Sequence, residues 1–191
     1  LSKDAIEDCS SGFHVNDERL EVLKAAISRD GICSIEPREL PWDAAGVDLD
    51  RLARNVEILV SAGWPPSFIY LYDESWIMAA KMRTLLQQLT GNDSNFDMLA
   101  FRVVPGQAGF PPHRDKPLGG FRGQPNDLPS VGFHEDGAPK YMTAWIPLVD
   151  VPVTSSCLMC VPRHLDPYYM SASTMSSNPL LTIQDYQHIK P

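Results

Sequence analysis

The feature that most constrains this chain is an uneven distribution of proline. Thirteen of its seventeen prolines follow Val104, seven of them between Pro105 and Pro139, and seven of its twelve glycines lie in the same half. Proline fixes φ and removes a backbone donor, which keeps it out of helix interiors and central strands. Long helices are therefore confined to the first hundred residues, which are richer in helix formers. The chain is expected to begin helical and to continue as strands and loops.

Three helices are predicted. Asn16-Asp17 precede ERLEVLKAAISRD, where Leu20, Leu23, Ala26 and Ile27 recur at helical spacing. Asn16 or Asp17 can cap that helix, and Gly31 can end it in a left-handed conformation. Asp48–Ala62 repeats the pattern until Gly63-Trp64-Pro65-Pro66 stops it. Asp73–Leu89 is the third helix, with Trp76, Ala79, Ala80, Met82 and Leu86 forming an apolar stripe expected to pack on a sheet.

Strands are expected at Ile32–Ile35, Phe96–Val104, Tyr141–Val149 and Cys157–Val161. The proline- and glycine-rich stretch 106–139 is expected to be a long ordered loop or a set of short strands, and such loops are usually functional. Residues 1–15 are expected to be a loose arm and 16–191 a single domain. The length of 191 residues suits one sizeable core.

Composition excludes several classes. A hydrophobic share of 43% with 21% charged residues is that of an ordinary globular protein. No apolar run approaches the roughly 18 residues of a membrane span, and LSKDAIEDCSSG lacks the apolar block of a secretory leader. A net charge of −8 without a basic cluster disfavours nucleic acid. Four scattered cysteines do not form a disulfide framework, so an intracellular, cytoplasmic location is expected.

The chemistry-bearing feature is His113-Arg114-Asp115. Ligands at i and i+2 on an extended segment project to one side and can reach one ion. They form two-thirds of a 2-His-1-carboxylate triad, which leaves iron(II) positions open. Alone, H-x-D is common and describes any exposed loop. The kinase catalytic loop, also H-R-D, needs a glycine-rich loop, a strand lysine and a D-F-G, all absent from this sequence. Cys157-Leu158-Met159-Cys160 is formally C-x-x-C, but lacks a second pair; buried thiols on an apolar strand are the expectation.

Context extends the motif. The strand FDMLAFRVV and the link PGQAGFPP precede it, and TAWIPLVDVPVTSSCLMCVPRH follows. In that order the sequence resembles the phytanoyl-CoA dioxygenase-like oxygenases, over roughly residues 19–36 and 96–191. Ser155-Ser156 stand where the family has Asn-Gly, and Arg163 where it has Gly-Ser.

The resemblance implies a mainly β fold, a double-stranded β-helix (jelly roll) with flanking N-terminal helices. It also implies a non-haem iron(II) centre with 2-oxoglutarate as cosubstrate, acting on a small-molecule substrate with O2. His113 and Asp115 are the implied metal ligands. Trp145 would stand beside the cosubstrate and Thr143 could donate a hydroxyl to it, although Trp145 could equally be a core aromatic. Arg114 alternates away from the metal, as a rim residue or a cosubstrate contact.

The third ligand, a histidine, and the cation for the cosubstrate's distal carboxylate are expected beyond Pro191, with the barrel incomplete at its C-terminal side. The start at Leu1 fits an incomplete chain. His188 competes as a ligand, His134 is a possible substrate contact, and His164 matches a turn-capping family histidine. Two other classes remain open: a catalytically inactive homologue serving as a binding module, and a cupin-like metal hydrolase or isomerase. The latter usually shows an H-x-H cluster that this chain lacks.

Overall fold

A computed structural model describes residues 12–104, 134, 138–155 and 157–165. Helix α1 spans Asp17–Asp30. The Asn16 side chain caps it, accepting from the Arg19 backbone N–H at 2.8 Å, and Gly31 closes it at φ 75° by donating to the Ile27 carbonyl. Helix α2 spans Leu49–Ser61, and the Asp48 carboxylate accepts from the Arg51 N–H at 2.8 Å. Beyond Trp64 and Pro65 the chain forms a 3-10 helix, Pro66–Leu71, then helix α3, Asp73–Thr90, which ends at Gly91 with φ 73°. Caps and stops thus act where the sequence places them. Each satisfies terminal backbone groups that a helix cannot pair internally.

These elements enclose one apolar cluster. Leu23 and Ile27 enter from α1, Leu52 and Val56 from α2, and Met82, Leu85 and Leu89 from α3, joined by Phe13, Trp42, Ala45, Val47 and Ile69. Burying each large side chain contributes about 1.5–3 kcal/mol. The Phe13 and Trp42 rings meet edge to face at 4.7 Å.

The stripe expected on α3 is corrected. Met82 is buried, but Trp76 remains 41% exposed, and the face turned inward carries Met82, Leu85 and Leu89 together with Ser75 and Lys81. The cause is the segment that covers it. Residues 12–15, expected as the end of a loose arm, run along α3: the Phe13 N–H donates to the Lys81 carbonyl at 3.0 Å, and Val15 bonds the Gln88 side chain. Gly12 passes so close that a Cβ there would fall on the Thr84 side chain. Trp76 instead donates its indole N–H to the Tyr70 carbonyl at 2.8 Å.

The fold class is also corrected. About half of the described residues are helical, and apart from an isolated bridge at Pro139 none forms a strand or sheet. Ile32–Ile35, Phe96–Val104, Tyr141–Val149 and Cys157–Val161 do not pair with one another. The mainly β jelly roll is therefore not the architecture of the described residues, and α3 packs on helices and loops rather than on a sheet. Alternating apolar residues record a local preference for extended backbone, whereas a sheet exists only where a second segment completes the ladder. In that segment Leu99 and Phe101 stand 71% and 59% exposed.

Candidate functional site

Of the residues singled out from sequence, His113, Arg114, Asp115 and His188 lie outside the described residues. Thr143 and Trp145 are described. Along 141–148, Met142, Ile146 and Leu148 pack against the core, while Tyr141, Thr143 and Trp145 face outward. Thr143 and Trp145, expected to share a face, are both exposed, and so is Ala144 between them. The Thr143 hydroxyl donates to the Tyr141 hydroxyl at 3.2 Å, and Trp145 is half exposed. Tyr141, Thr143 and Trp145 thus present two hydroxyls and an indole at the surface.

The two described downstream histidines are each held by a side chain beside a helix-ending glycine. Asn92 follows Gly91; its Oδ1 lies 3.0 Å from His134 Nε2, and its amide donates to the Pro139 carbonyl at 3.1 Å. Because Oδ1 only accepts, Nε2 carries the proton in that contact. The His134 backbone N–H donates to the Ala138 carbonyl at 2.8 Å. Asp30 precedes Gly31, and its Oδ1 lies 3.0 Å from His164 Nδ1. Sequence reading singled out both histidines but neither partner. The available signal was an Asn or Asp adjoining each glycine that ends a helix.

Electrostatics elsewhere bind loops to helices. The Arg29 guanidinium, hydrogen-bonded to Asp30, holds that carboxyl below its ordinary range, and His164 adds to the effect. Arg19 does the same for Glu39 at 2.6 Å, and Arg102 for Glu57 at 2.7 Å, tying the 92–104 segment to α2. Burial pushes the Tyr70 phenol up, with Asp97 adding to the shift, and its hydroxyl is buried without a hydrogen-bond partner.

Among the described residues no three His, Cys, Asp or Glu side chains converge as a metal set. The described residues alone therefore do not fit an iron centre. A cleft of about 480 Å³ beside Trp42 is lined in part by Arg38, Asp43, Asp48 and Asp50, but Asp48 is committed to capping α2. The buried thiols expected of C-x-x-C are corrected as well: Cys157 is half-buried and Cys160 exposed.

No protein-family model matches the chain, and no curated protein and no solved structure matches it significantly. Among the described residues no helix is long and apolar enough to cross a membrane.

Proposed function

We propose that the chain carries the His–Asp half of an iron(II)/2-oxoglutarate-dependent oxygenase site, and that the protein hydroxylates a small molecule with dioxygen. The observation that supports this reading is the ordered series of His113-Arg114-Asp115, Thr143–Val149 and Cys157–His164. Bound iron(II) would supply open coordination positions for the oxo-acid and dioxygen. His113 and Asp115 would hold one face of the ion. Thr143 would turn its hydroxyl from Tyr141 to a cosubstrate carboxylate, the Trp145 indole would wall that site, and Arg114 would lie at its rim. His188 is the candidate third ligand in this sequence. Thiols at Cys33 and Cys157 that enter no disulfide suit a reducing, cytoplasmic compartment, where ferrous iron also persists.

The test is calorimetric binding of manganese(II), a redox-inert stand-in, to the full gene product. His113→Ala and Asp115→Ala should each weaken binding by more than about tenfold, since each removes a ligand from an already small set. The same protein should release succinate from 2-oxoglutarate when loaded with iron(II). Binding unaffected by both substitutions, or no binding and no succinate, would sink the proposal. The latter result would favour a non-catalytic binding module.

A further inference from the structure

Two clasps hold the second half of the chain to the helices, and they share one design. At the end of α3, the Thr90 hydroxyl donates to the Leu86 carbonyl at 2.8 Å and accepts from the Asn92 N–H at 3.1 Å, which fixes Asn92 just past Gly91. Asn92 then grips Pro139 and His134. At the end of α1, Asp30 holds His164, and the Arg163 guanidinium donates to the Ser28 carbonyl. Ser28 belongs to the last turn of the helix, where carbonyls lack intrahelical partners and a basic side chain is favoured. Gly31 lies against this approach: a Cβ there would stand 3.4 Å from the Arg163 Cβ, in ordinary contact.

Between the clasps the chain is thinly packed. Met142, Ile146 and Leu148 touch the core, but Trp145, Val149, Val153, Leu158 and Met159 are 50–73% exposed. The helical core beneath contains side chains at 0–2% exposure, among them Val47, Leu85 and Leu89. A segment with few buried contacts opens at lower free energy than the core on which it rests.

We infer that residues 138–155 and 157–165 belong to a strap, buttoned at its two ends to the C-terminal turns of α3 and α1, that opens as a unit while the helices stay folded. The strap carries the Tyr141-Thr143-Trp145 row, so unbuttoning either end frees that row from the helical unit. The two ends have separate partners: Asn92 governs the near end, and Asp30 with Ser28 the far end.

Amide hydrogen exchange on the 191-residue chain, read by mass spectrometry without metal or substrate, tests this. Arg163→Ala/His164→Ala removes the far button from the strap side and leaves α1 intact. Asn92→Ala removes the near one. Loss of one or two hydrogen bonds at an end should speed exchange over 141–162 roughly five- to tenfold. Exchange in α1 and α3 should hold at the wild-type rate. Unchanged exchange over 141–162 in both variants would overturn the strap, as would helices that accelerate in step with it. Because metal is absent from this measurement, its failure leaves the oxygenase reading standing, and the reverse also holds.

Discussion

The helical unit and the extended segments that follow it are built from equally apolar sequence, yet they bury it very differently. Leu85 on α3 is fully buried, whereas Leu158 is 56% exposed and Leu99 is 71% exposed. A helix satisfies its own backbone and needs only a neighbour for one face, which for α3 the α1 helix, the 66–71 3-10 helix and the 12–15 segment supply. An extended segment needs a partner for its backbone and another for its side chains. Apolar content alone therefore does not make a core; closure of the backbone hydrogen bonds decides which apolar residues are buried.

The sharpest way to break this contrast is a matched pair of truncations. Leu85→Ala should cost about 2–5 kcal/mol in denaturant unfolding, because it empties a site among packed neighbours. Leu158→Ala should stay within about 0.5 kcal/mol. Equal losses would show that the two regions share one core.

A smaller effect is expected where the chain ahead of α1 meets α3. Gly12→Ala would force a methyl group onto Thr84. The displacement should cost about 1–3 kcal/mol, read as a lower thermal midpoint. Combining it with Thr84→Ala, which removes the Oγ1 that the new methyl group would meet, should recover part of the loss. A neutral Gly12→Ala would show that 12–15 does not dock on α3.

The smallest effect is the acid response of the ion pairs. Glu39, Asp93 and Glu57 have carboxyls held below their ordinary range, each first of all by an arginine hydrogen bond, from Arg19, Arg83 and Arg102 respectively. A depressed folded pKa means that the unfolded chain takes up protons first as pH falls. Their contribution is thus complete above the ordinary carboxylate range and is lost as pH drops through the depressed values. Thermal midpoints should decline across that acid window, and Arg19→Gln should flatten part of the decline. A midpoint independent of acid would remove these pairs from the comparison.

Much of the helical half was legible because its signals are local. Asn16 was readable as a cap, and Gly31 and Gly63 as stops, since a cap is decided within four residues. The inward face of α3 was not legible, because it depends on Gly12–Val15 arriving from about seventy residues away. The partners of His134 and His164 were hidden for the same reason: Asn92 lies 42 positions from its histidine, and Asp30 lies still farther from His164. The expected strands failed on the other side of this divide. Their alternation is a local property, but pairing is not.

By itself, the sequence determined where helices start and stop, which half could hold them, and the His113-Arg114-Asp115 series on which the oxygenase proposal rests. Tertiary structure alone decided which α3 face is buried, that the extended segments stay unpaired among the described residues, and that Asn92 and Asp30 hold the chain's second half. The physical reason is range. Capping, helical period and proline's missing donor act over a few residues, whereas burial and pairing need a partner whose place only the fold assigns.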